Sequence, residues 1–180
     1  MTESERQSLR YPIGTYQAPI EIAAGHIEKW IQIIEDHPQQ LRNMVEGLTA
    51  QQLDTPYRAG GWTIRQVVHH IPDSHVNCYV RFKWTLTEDK PFIKAYFEDR
   101  WAGLADSRKA PIEFSLNFLA ALHAKWVYLL KGLTAEQLKL AFIHPETKTE
   151  VPLDWNIGNY AWHCQHHYAH IANKIQRENW

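Results

Sequence analysis

Apolar residues recur at steps of three and four along most of the chain, and the breaks in that rhythm divide it into helices. From about Ala24 to Gly47, Ile27, Trp30, Ile31, Ile34, Leu41, Met44 and Val45 trace one helical face. Pro38 falls inside this run, and its missing N–H predicts a kink or a division there. Gly60-Gly61 break the chain, and Thr63 with Gln66 three residues on forms a capping-box pattern. A second helix follows to about Thr87, carried by Ile64, Val67, Val68, Ile71, Val76, Tyr79, Val80 and Phe82. Pro72 predicts a bend one turn before it. A third helix spans about Ile112 to Leu130 (Phe114, Leu116, Phe118, Leu119, Leu122, Trp126, Leu129, Leu130), and a fourth runs from about Asp154, read as its cap, to near Gln176.

Between these lie weaker signals. Residues 1–18, punctuated by Pro12, Gly14 and then Pro19, read as extended. LTAQQL (48–53) and LTAEQL (133–138) each pair Thr with Gln three residues later, the mark of a short helix start. A polar connection containing Trp101 joins the second and third helices, and residues 141–153 read as a short hairpin or loop. Four long helices with few strands predict an all-α helix bundle in one domain, 1–180. The long connections predict at least one crossover that is not a tight antiparallel turn.

Composition narrows the function. A chain of 180 residues with net charge −1 lacks the positive excess that nucleic-acid binding needs, so no nucleic-acid partner is expected. No apolar run approaches the roughly 18 residues that span a bilayer, and the polar start MTESERQSLRYPIGTYQAP has no apolar core. A cytoplasmic protein without a membrane partner is therefore expected. Cys78 and Cys164 are too few for a disulfide framework. The 11 histidines, by contrast, are clustered as His69-His70-His75 and His163-His166-His167-His170, inside apolar-periodic segments rather than in a tag.

On the last helix, Ile157, Ala161, Cys164, Tyr168, Ile171 and Ile175 form an apolar seam. A second stripe, Asn156, Tyr160, His163, His167, His170 and Lys174, lies about 100° around the helix. His163 and His167 are stacked one turn apart, and two imidazoles at that spacing can close on one metal ion. The same spacing also suits histidines that face solvent or hydrogen-bond within a core. A third ligand must come from elsewhere. His70 is the candidate, in a polar stripe with Gln66, Asp73, Ser74, Asn77 and Arg81. Asp73, one turn on, could orient its imidazole or take part in catalysis.

GGWTIRQVVHHIPDSHVN (60–77) resembles the signature of the DinB superfamily, in which a Trp precedes by eight residues a His followed by Leu or Ile. HCQHHYAHI (163–171) resembles the pattern on that superfamily's last helix, and the chain as a whole is similar to its YfiT branch of metal-dependent hydrolases. The resemblance implies an up-down-down-up four-helix bundle, here preceded by the extended N-terminal segment, and a homodimer. It also implies one divalent metal ion per subunit on His70, His163 and His167, with zinc or nickel as the expected metal; His69, His166 and His170 do not match ligand positions. Three imidazoles leave coordination positions open for water or substrate, which supports hydrolysis of a small molecule. A metal also activates thiols, and relatives of this branch are linked to transfer of low-molecular-weight thiols such as bacillithiol. A metal-dependent thiol transferase and a non-catalytic metal-binding bundle are the alternatives.

Overall fold

Residues 2–180 are described by a computed structural model, all but the side chain of Glu3. In chain order the elements are α1 (Glu3–Arg10), α2 (Ala24–Val45), α3 (Ala50–Leu53), α4 (Ile64–Thr87), α5 (Glu98–Ala102), α6 (Ala105–Lys109), α7 (Ile112–Lys131), α8 (Ala135–Leu138), β1 (Ala141–Ile143), β2 (Glu150–Pro152) and α9 (Leu153–Glu178). The strands pair antiparallel, with Phe142 opposite Val151, so 141–153 is a hairpin running straight into α9.

The capping boxes start helices where the sequence places them. Gln66 N donates to Thr63 Oγ1 and Thr63 N to Gln66 Oε1, at 3.2 and 2.9 Å. Gly60 before this cap has φ +67°, a conformation open to glycine at little cost. The extended reading of residues 1–18 needs correction over its first half. Glu5 N donates to Thr2 Oγ1 and Thr2 N to Glu5 Oε2, and this fourth capping box starts α1. The prolines and glycine that argued for extension lie beyond Arg10. Neither Pro38 nor Pro72 divides its helix. Asp154 does not cap α9; it stands in the first turn, where it accepts from Trp155 N and from Lys139 Nζ.

Two apolar clusters give the helix directions. One joins Ile27, Ile31 and Ile34 at the start of α2 to Phe82 late in α4, Trp126 and Leu130 late in α7, and Leu153 and Ile157 at the start of α9. The other joins Leu41 and Val45 late in α2 to Ile64 and Val67 early in α4, Leu116 and Leu119 early in α7, and Ile171 late in α9. So α2 and α9 run one way and α4 and α7 the other, which is the up-down-down-up order. Each long helix packs on two others: α2 on α7 and α9, α4 on the same two. Chain neighbours α2 and α4 are thus diagonal, as are α7 and α9, while α4 and α7 pack side by side and parallel. The outer connections therefore cross the bundle, and the middle one runs its length. Burying a side chain such as Leu41 contributes about 1.5–3 kcal/mol, and these clusters supply most of the bundle's cohesion. Among the described residues no helix is long and apolar enough to cross a membrane.

Candidate metal centre

Where α4 meets α9, a cleft of about 570 Å³ opens. His70 and Ser74 of α4 and five residues of α9, from Trp162 to His170, line its floor. Arg10 and Tyr11, the turn from Tyr57 to Trp62, and the stretch holding Tyr96, Glu98 and Asp99 form its walls. One nitrogen each of His70, His163 and His167 lies within 4.8 Å of the others, so the structure brings these three residues together. The His70 ring is 4.8 Å from that of His167, 5.4 Å from that of His163 and 4.6 Å from that of Trp62.

Burial determines the protonation of these rings. Desolvation, followed by the nearby His170, pushes His70 down to about 4. His163 and His167 are held well below the usual histidine range, again by desolvation first and neighbouring histidines second. All three are neutral at pH 7 and keep a lone pair for a cation.

Hydrogen bonds already occupy one nitrogen on two of the rings. His163 Nδ1 is 3.0 Å from His75 Nε2, and His167 Nδ1 is 3.4 Å from His170 Nδ1. His170 in turn donates from Nε2 to the carbonyl of Arg10 at 3.0 Å. His163 and His167 are each left with one nitrogen uncommitted, and no hydrogen bond among the described residues occupies His70. Three neutral imidazoles with one lone-pair nitrogen each, converging in a cleft, are a donor set that fits a divalent ion.

The other sequence candidates fall differently. Asp73 does not line the cleft; burial and Asp106 push its carboxyl up to about 6, and it is not brought to His70. The carboxylates that do line the cleft are Glu98 and Asp99, from a connection the sequence reading left without chemistry. His69 points to α7, bonding Ser115 Oγ at 2.6 Å and the Ala110 carbonyl at 3.2 Å. His166, which does not match a ligand position in the family pattern, forms a second group with His167 and His170 whose nitrogens also lie within 4.8 Å of one another. His166 stacks on Trp162 at 4.5 Å, and its Nδ1 has no hydrogen-bond partner.

Sequence reasoning missed His75 and His123 as members of this network. Both are fully buried, and His75 Nδ1 is 2.6 Å from His123 Nε2. A signal for His123 was available. It occupies a core position on α7, in step with Leu116, Leu119, Trp126 and Leu130, where an imidazole needs partners.

A family profile described as the DinB superfamily matches residues 33–171. The chain is 48% identical over 173 residues to the Bacillus subtilis (strain 168) protein named "Putative metal-dependent hydrolase YfiT", covering 96% of this chain and 97% of that one. It is 52% identical over 172 residues to a Bacillus cereus (strain 03BB102) protein named "Putative metal-dependent hydrolase", covering 96% and 98%. The solved structure of YfiT from Bacillus subtilis, described as having an unusual four-helix bundle topology, superposes with a TM-score of 0.94 over 96% of this chain and 99% of that chain, at 48% identity.

Proposed function

The chain belongs to the DinB superfamily, and we propose that it is a metal-dependent hydrolase of a small molecule, with His70, His163 and His167 holding one divalent ion. The observation that carries this reading is the convergence of three neutral imidazoles, their nitrogens within 4.8 Å, on the floor of an open cleft. A divalent ion held there supplies Lewis acidity and a water whose pKa is lowered to about 7. Imidazole donors suit zinc and nickel, and one ion per subunit is the expected content.

The chain's own residues do the rest. The three rings, His70 and His167 buried and His163 half-buried, are neutral and bind without first losing a proton. Trp62 and Trp162 pack against His70 and His166 and limit solvent at the floor. Arg10 and Arg58 at the walls suit a substrate with an anionic group, and Glu98 and Asp99 are the cleft carboxylates available to take up a proton. The reading includes a cytoplasmic homodimer, which light scattering checks for assembly.

Turnover of activated esters and amides by zinc- or nickel-loaded protein tests the proposal. Activity should rise with pH through a value near 7 and need no added thiol. Turnover that appears only with an added low-molecular-weight thiol would reassign the site to thiol transfer. A fully metallated protein inert toward both classes would leave a non-catalytic metal-binding bundle.

A further inference from the structure

Pro38 has no N–H to give to the carbonyl four residues before it, so the Ile34 oxygen lacks its helical donor. That oxygen accepts instead from His123 Nδ1, across the α2–α7 contact, at 2.6 Å. A carbonyl can only accept, so the single proton of a neutral His123 is on Nδ1 and its Nε2 carries the lone pair. Nε2 is 2.6 Å from His75 Nδ1, which must therefore donate. His75 then carries its lone pair on Nε2, 3.0 Å from His163 Nδ1, so His163 donates in its turn.

We propose that His123 and His75 are positioning residues that fix the proton of His163 on Nδ1 and so reserve its Nε2 for the metal, with the carbonyl freed by Pro38 as the anchor of the chain. The proposal rests on the reading of His163 as a ligand.

Several observations make the chain directional. His75 and His123 are 0% and 1% exposed, so water has no access to substitute for either ring. Trp126 packs edge-on against both at 5.9 Å, and Tyr160 against His75 at 5.2 Å, which holds the rings in register. The rings of His75 and His123 lie 2° from parallel. His37 is nearby, its ring 6.4 Å from His75 and 6.1 Å from His123, but its Nε2 has no hydrogen-bond partner and offers no competing route. Metal-binding histidines commonly donate their second nitrogen to a carboxylate or a carbonyl. Here the carbonyl lies two imidazoles away, and Pro38 gains a purpose within a helix it would otherwise only weaken.

The test reads ring protons directly. In metal-free protein labelled with 15N-histidine, long-range proton–nitrogen correlations should show His123, His75 and His163 all as Nδ1–H tautomers. In His123→Phe and His75→Phe, which keep a ring and lose the bond, His163 should gain an Nε2–H population. Zinc affinity, measured by competition with a chelator, should then fall by about 10- to 100-fold. A wild-type His163 protonated on Nε2, or a His163 that stays wholly Nδ1–H in either folded variant, would overturn the proposal. If neither variant folds, the three wild-type tautomers decide it: all Nδ1–H supports the chain, and any Nε2–H refutes it. These readouts need no turnover, so a zinc-binding protein that hydrolyses nothing refutes the function and leaves the chain standing. The expected tautomers in a protein that binds no zinc refute the metal site itself.

Discussion

Gly158, early in α9, lies directly beneath the Tyr16 phenol. A methyl group there would overlap the Tyr16 hydroxyl and approach two Trp30 ring atoms at 2.9 Å. The close approach fastens the segment between α1 and α2 across α9. That segment follows Arg10, whose carbonyl holds His170.

Gly158→Ala should accordingly lower stability despite alanine's better helix propensity. Overpacking costs about 1–3 kcal/mol, against a propensity gain of about 1 kcal/mol at most. Adding Tyr16→Phe, which removes the nearest clashing atom, should recover part of the loss in thermal denaturation. A double variant no more stable than Gly158→Ala would show that the contact is not limiting.

His70→Ala, His163→Ala and His167→Ala should each reduce bound metal from about one ion per chain to near none after dialysis, by elemental analysis. His166→Ala and His170→Ala should retain it, with affinity weakened by about 10- to 100-fold. The two overlapping histidine groups share His167, so the contrast between His70→Ala and His166→Ala locates the ion. Full occupancy in His70→Ala with loss in His166→Ala would move it to the second group.

His37 and His123 predict how the metal-free protein responds to acid. Burial, then His123, pushes His37 down to about 3. Burial pushes His123 to about 4, partly offset by its bond to Ile34. Between these values and the ordinary 6.5, the unfolded chain takes up protons that the folded chain refuses. Stability should therefore fall as pH drops from about 6.5 toward 4, and level off above 6.5. Each such histidine steepens the slope by at most about 1.4 kcal/mol per pH unit. Urea midpoints across this range check it, and His37→Phe should flatten the profile. A wild-type midpoint constant down to about pH 4.5 would contradict these pKa directions.

Much of the fold was legible because its signals are local. The α4 boundaries follow from one capping box and one apolar stripe, and the hairpin from a short β-rich piece before α9. α1 was overlooked because Pro12, Gly14 and Pro19 dominated a segment whose Thr2-Glu5 box is the same device read correctly at Thr63. The metal candidates were only half local. Spacing paired His163 with His167 but left a solvent-facing or core role equally open, and His70 stood out from its polar stripe on the second helix before the resemblance matched it to a ligand position. The chain through His75 and His123 joins residues 48 and 88 positions apart, a relation no helical period encodes. Asp73 shows the limit of such spacing, since it stands one helical turn from His70 in sequence yet is not among the residues that line the cleft.

Both cysteines should be silent toward thiol reagents in the folded protein. Cys78 and Cys164 are fully buried, burial pushes both thiols up, and Asn156 Nδ2 donates to Cys78 Sγ at 3.3 Å. A colorimetric thiol assay should find essentially none until urea unfolds the chain, and then two. Cys78→Ser and Cys164→Ser should leave turnover nearly unchanged, so any thiol used in the reaction must come from solution. Rapid labelling of native protein would reverse that conclusion.

The converging histidines come from α4 and α9, which lie side by side although α5 to α8 separate them along the chain. During synthesis on the ribosome, α2, α4 and α7 can collapse together while half of the cleft has yet to be made. The His163–His167 pair arrives only with α9, and it reaches His70 only when α9 docks between α2 and α4. A chain that stops before α9 has His70 without the two histidines that converge on it, so the cluster forms only once the whole bundle has closed.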